Sequence, residues 1–128
     1  MSLTERVKVL VADDLTTSRM LIIDALQELG FRQILYAPNG AEALKLAMSN
    51  TVHLIISDFE MPGLDGVAFL QSVRSYAPTR NVPFVLVTGR GDKALIERAR
   101  KFGLNNYVAK PFTVPTLKAA IKAVIGVV

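Results

Sequence analysis

The chain has no cysteine, no tryptophan and a single histidine, His53. The missing cysteines exclude a disulfide scaffold, a zinc–thiolate site and thiol chemistry together. One imidazole is too few for a histidine-rich metal site. Aromatics make up only 7% of the sequence, so an aliphatic core is expected. No apolar run approaches the roughly 18 residues of a membrane span. The opening residues, Met1-Ser2-Leu3-Thr4-Glu5-Arg6, lack the charged-then-apolar order of a secretory signal, and a soluble cytoplasmic protein is expected.

What is present suits one compact domain over residues 1–128, with 51% hydrophobic and 20% charged residues. The net charge of +4 is divided unevenly. Residues 1–65 carry five Lys/Arg against nine Asp/Glu, and residues 66–128 carry ten against two. An acidic first half suits cation binding, and a basic second half suits an anionic partner.

Short β-branched-rich runs at residues 7–12, 34–37, 54–57, 84–88 and 107–109 read as strands covered on both faces. Helical spacing fills the intervals. Ile22, Ala25, Leu26 and Leu29 share a face that stops at Gly30. Asn39 caps a helix bearing Leu44, Ala47 and Met48, and Asp65 caps one bearing Val67, Leu70 and Val73. Asp92 caps a fourth with Leu95, Ala99 and Phe102 inward, ending at Gly103. Thr113 caps a fifth, with Leu117, Ala120, Ile121 and Val124. Five βα repeats predict an α/β fold, an open doubly wound sheet of five parallel strands with right-handed crossovers. In that architecture ligands bind beyond the carboxyl ends of the strands.

Those ends carry Asp13-Asp14, Asp58, Thr88 and Lys110-Pro111. An aspartate after a strand is ordinarily a turn former or a helix cap. Three carboxylates, a hydroxyl and an ammonium on one sheet edge are a different matter. Clustered carboxylates raise one another's pKa unless a cation intervenes, and Mg²⁺ is the hard, oxygen-seeking ion that fits. Such a site binds phosphoryl groups, with Lys110 adding a point charge and Thr88 a donor. An aspartate there can itself attack phosphorus.

With Ser57-Asp58-Phe59-Glu60-Met61-Pro62-Gly63-Leu64-Asp65-Gly66 and Tyr107 ahead of Lys110-Pro111-Phe112, the chain resembles the receiver domain of bacterial two-component response regulators over essentially its whole length. It is most similar in kind to the single-domain chemotaxis regulators of that family. The resemblance implies the flavodoxin-like strand order 2-1-3-4-5. It implies that Asp58 takes a phosphoryl group from a chemotaxis-type histidine kinase. Asp14, Asp58 and the Glu60 carbonyl would ligate Mg²⁺, with Asp13 acting through metal-bound water. Lys110 would pair with the acyl phosphate, Thr88 would bond a phosphate oxygen, and Tyr107 would turn inward behind it. A cis Lys110–Pro111 bond is implied as well.

The resemblance further implies an output face made by the fourth helix, fifth strand and fifth helix. There Lys93, Arg98, Arg100, Lys101, Lys118 and Lys122 suit an acidic amphipathic segment, such as a flagellar switch protein peptide. A phosphatase partner is possible in such systems, and a monomer is expected. Nucleic acid is not, since aromatics do not interleave with the basic residues. A phosphate sink that drains a shared kinase without an output target is the alternative within the fold. A small phosphohydrolase with an aspartate nucleophile is disfavoured, because strand one is followed by Asp-Asp-Leu rather than Asp-x-Asp.

Two flanking positions depart from the chemotaxis pattern. Glu60 stands where a neutral or amide side chain is common, and Arg90 where the enteric-type protein is acidic. Facing each other across the site mouth, beside Gly89 and Pro111, they would control how water reaches the acyl phosphate; as exposed loop charges they would do little. Gly89-Arg90-Gly91-Asp92 lacks the endings of a phosphate-binding loop. His53 reads as a surface or edge residue, and Met20, Met48 and Met61 as gap fillers.

Overall fold

The computed structural model describes residues 2–89 and 93–126. Five parallel strands, β1 (Lys8–Ala12), β2 (Gln33–Ala37), β3 (Leu54–Asp58), β4 (Phe84–Thr88) and β5 (Asn106–Ala109), form one sheet in the order β2-β1-β3-β4-β5. The helices between them are α2 (Thr16–Glu28), α3 (Gly40–Ser49), α4 (Gly66–Ser75), α5 (Lys93–Lys101) and α6 (Val114–Ile125). A short α1 (Leu3–Arg6) and a 3-10 turn (Ala77–Thr79) add to the expected pattern; neither is long enough to show a periodicity.

Alternation along the strands decides which layer each side chain joins. Val9, Val11, Leu54, Ile56, Val85 and Val87 pack on one face with Ile22 and Leu26 of α2 and Leu117 and Ile121 of α6. Leu10, Ala12, Ile55 and Leu86 pack on the other with Ala43 of α3, Leu70 of α4 and Leu95 of α5. Phe69 and Phe84 meet edge to face at 5.5 Å between ring centroids. β1, β3 and β4 are almost wholly buried, as continuous apolar runs require, whereas the edge strands β2 and β5 expose Tyr36 and Tyr107.

The predicted caps form. Asn39 accepts from the Glu42 N–H at 2.8 Å, Asp65 from the Ala68 N–H at 2.8 Å, and Thr113 from the Thr116 N–H at 3.2 Å. Gly30 and Gly103 end α2 and α5 at φ +102° and +90°, where a side chain would be strained. Asp92 lies outside the described residues, so its capping role does too. His53 is exposed, and its Nδ1 accepts from the Lys8 N–H at 2.9 Å, extending the β1–β3 pairing by one side chain. Met61 is buried, but Met20 and Met48 are each 48% exposed and fill no gap: Ala43 and Ala47 turn inward on α3, and Ile22 and Leu26 on α2. Among the described residues no helix is long and apolar enough to cross a membrane.

Candidate functional site

Strand register assembles the site. Ala12 pairs with Ala37 on one side and Ser57 on the other, so β1 is flanked at the point where strand order reverses. The chain leaves β1 as Asp13-Asp14 beside Asp58, the last residue of β3. Asp58 pairs with Val87 and Thr88 with Ala109, which carries Lys110 to the same edge. The Lys110 N–H donates to the Thr88 carbonyl at 2.9 Å, and the peptide bond that follows, to Pro111, is cis.

Three carboxylates converge here. Asp13, Asp14 and Asp58 each offer one oxygen, all within 4.8 Å of one another. Asp13 is wholly buried and Asp58 is 5% exposed. Burial pushes the Asp58 carboxyl up; Lys110 opposes this by charge and hydrogen bond, Asp13 reinforces it, and the Phe59 N–H opposes it weakly. The Lys110 ammonium lies 3.3 Å from Asp58 Oδ1 and 3.4 Å from Asp13 Oδ2. This all-oxygen donor set, two members buried and drawn together despite like charge, fits a hard divalent cation such as Mg²⁺.

Two residues that the sequence pattern did not single out complete the cluster. Ser18 Oγ accepts from Lys110 Nζ at 2.8 Å and donates to Asp13 Oδ2. Arg19 Nη1 donates to the Asp13 carbonyl at 2.9 Å, with its guanidinium 5.3 Å from the Tyr36 ring centroid. The available signal was slight: a hydroxyl and a guanidinium in the first turns of the helix after Asp13-Asp14.

Thr88 is buried at the end of β4. Tyr107, 37% exposed, lines a surface hollow of about 450 Å³ with Asn106, Ala109, Pro111 and Thr116. Glu60 is exposed and lines an open hollow of about 470 Å³ with Asp14, Met61 and Asp65, beside the carboxylates. Gly89 is exposed; Arg90 lies outside the described residues, and its pairing with Glu60 with it.

Residues 9–122 match the response regulator receiver domain family. The chain belongs to that family. Among other receivers, it is 49% identical over 126 residues to a probable chemotaxis protein CheY of Rhizobium etli, covering 98% of each chain. It is 38% identical over 120 residues to chemotaxis protein CheY1 of Helicobacter pylori, covering 93% of this chain and 97% of that one. The receiver fold superposes on the crystal structure of CheY4 of Vibrio cholerae with a TM-score of 0.88 at 28% identity, covering 93% and 98% of the two chains. It also superposes on the receiver domain of the sensor histidine kinase PA1611 from Pseudomonas aeruginosa, with a TM-score of 0.84 at 27% identity, covering 93% and 97%. That receiver has a magnesium ion coordinated in its active-site cleft.

Proposed function

We propose that residues 1–128 form a single cytoplasmic receiver domain that is phosphorylated on Asp58 and signals in chemotaxis. The observation that carries this reading is a buried aspartate at the end of β3, 3.3 Å from an ammonium and grouped with two further carboxylates. A carboxylate oxygen of Asp58 attacks the phosphorus of a phosphohistidine on a histidine kinase. The new O–P bond forms as the P–N bond breaks, and the imidazole nitrogen keeps the electron pair. Asp14, Asp58 and the Glu60 carbonyl would hold Mg²⁺, with Asp13 acting through water. When bound, the ion neutralises charge on the phosphoryl oxygens.

Lys110 does the same as a point charge, already placed beside Asp58 before the reaction. Thr88 donates to a phosphoryl oxygen, and Tyr107 moves inward from its exposed position, altering the hollow it lines on β5. Added negative charge therefore favours the arrangement in which Thr88 and Lys110 both contact it. The output face is α5, β5 and α6, where Lys93, Arg98, Arg100, Lys101, Lys118 and Lys122 are all exposed. It would take an acidic amphipathic segment of the flagellar switch. The similarity to chemotaxis proteins over nearly the whole chain supports the chemotactic setting.

Intact mass after incubation with Mg²⁺ and a small phosphodonor tests the chemistry. One added phosphoryl group is expected in wild type, and none without Mg²⁺ or in Asp58→Asn. No adduct in wild type, beside a competent control receiver, overturns the reading. Binding of a switch-derived acidic peptide that tightens on phosphorylation supports output; its absence favours a phosphate sink.

A further inference from the structure

The shortest contact of the Lys110 ammonium is with a hydroxyl rather than a carboxylate. Lys110 Nζ donates to Ser18 Oγ at 2.8 Å, against 3.3 Å to Asp58 Oδ1 and 3.4 Å to Asp13 Oδ2. The same hydroxyl donates its own proton to Asp13 Oδ2, while Asp13 Oδ1 accepts the Leu15 N–H at 3.0 Å. The ammonium thus hydrogen-bonds Ser18 and Asp13 and pairs by charge with Asp58, and each oxygen of the buried Asp13 carboxylate is held by a donor. Ser18 is the third residue of α2, so the helix that follows the acidic pair supplies the tether.

Resting on the receiver reading above, we propose that Ser18 is a positioning residue that sets the competition between Lys110 and the divalent cation. Both cations need the oxygens of Asp13 and Asp58. A hydroxyl that draws the ammonium toward α2, and orients Asp13 at the same time, leaves those oxygens more available to the metal. Without it the ammonium has only the two carboxylates as partners and settles onto them. The metal must then displace a better-bound Lys110, and its affinity falls. Ser18 touches neither the phosphoryl group nor the metal in this scheme; it acts through Lys110 and Asp13.

Ser18→Thr and Ser18→Val test this as a pair, since the two side chains share shape and differ by the hydroxyl. Mg²⁺ is titrated into ¹⁵N-labelled protein and followed by the amide shifts of Asp13 and Asp14. The Val variant is expected to bind Mg²⁺ about three- to tenfold more weakly, the scale of one ordinary net hydrogen bond. The Thr variant should stay within about twofold of wild type on the same scale. A hydroxyl needed only for packing would change the melting temperature of the Val variant and leave the Mg²⁺ dissociation constant alone; that result overturns the inference. If the Val variant does not fold, Ser18→Ala is read in the same titration with the same expectation. Wild type that neither binds Mg²⁺ nor takes a phosphoryl group removes the receiver reading and this inference with it. Wild-type behaviour in Ser18→Val removes this inference alone.

Discussion

Asp58 is placed at some cost to the folded state. Burial acts first, and Asp13 adds to it; together they outweigh Lys110 and the Phe59 N–H, so the carboxyl is pushed up. The folded protein therefore keeps this proton to a higher pH than the unfolded chain does. The stabilisation that follows is complete below the unfolded-state value and is lost as pH rises through the folded-state one. Asp58→Asn removes the titration. Without divalent cations its melting temperature should exceed that of wild type near about pH 7.5, and the two should converge below about pH 4, where an ordinary aspartate is protonated. A melting series across that range checks it; a variant less stable than wild type at the upper end would mean that Lys110 dominates. The identity of Asp58 was legible because a topological rule sends strand ends to one edge. Ser18 was not: it meets Lys110 from 92 positions away in the chain, and only the roll of α2 brings them together.

At the scale of elements, the junction of β3 and α4 leaves no room for a side chain. The Gly66 N–H bonds the Phe59 carbonyl at 2.9 Å, and a Cβ on Gly66 would stand 2.4 Å from the Asp58 carbonyl oxygen and 2.8 Å from Phe59 Cα. Both are backbone atoms, so either α4 or the end of β3 must move. Gly66→Ala should cost about 1–3 kcal/mol and slow phosphorylation by displacing Asp58. At Gly89 a Cβ meets nothing within 4 Å among the described residues, and Gly89→Ala should stay within about 0.5 kcal/mol of wild type when both variants are measured by urea denaturation.

The far end of α4 is tied by Arg74, whose guanidinium donates to the carbonyls of Val82 at 2.7 Å and Gly103 at 2.9 Å and to Asn105 Oδ1 at 2.9 Å. Asn105 Oδ1 also accepts the Phe84 N–H at 2.8 Å, so one side chain fastens α4 to the approaches of β4 and β5. Arg74→Met, which strands those acceptors, should cost about 2–3 kcal/mol in urea denaturation, and Arg74→Lys should recover only part because its point charge cannot fork. Strands and caps were readable in the sequence because each rests on residues a few positions apart. The Arg74 tie spans up to 31 positions and has no local pattern, and Met20 and Met48 were misplaced because the thioether suits an exposed helix flank as well as a core.

Across the whole molecule, charge and switching meet. Nine of the eleven acidic residues lie in residues 1–65, including the three at the site, whereas ten of the fifteen basic ones lie in residues 66–128. The field of the exposed lysines and arginines of α5 and α6, the proposed output face, is screened over about 8 Å at physiological salt. An acidic helical peptide docked there should bind more weakly as salt rises, and Lys118→Glu with Lys122→Glu should weaken it further while leaving phosphorylation intact. The phosphoryl group can tighten that binding only by as much as it distinguishes the two conformations. The coupling is reciprocal, which makes it measurable from either end. If a phosphoryl analogue such as beryllofluoride raises peptide affinity by some factor, within the usual range of about 5–150-fold, the peptide must raise the affinity for the analogue by the same factor. Anisotropy of a labelled peptide gives one leg of that cycle and calorimetry of the analogue the other. A shared factor well above one places the Tyr107 face and the Asp58 site in one two-state element. A peptide that binds well but leaves analogue affinity unchanged would mean that this face is occupied without being switched.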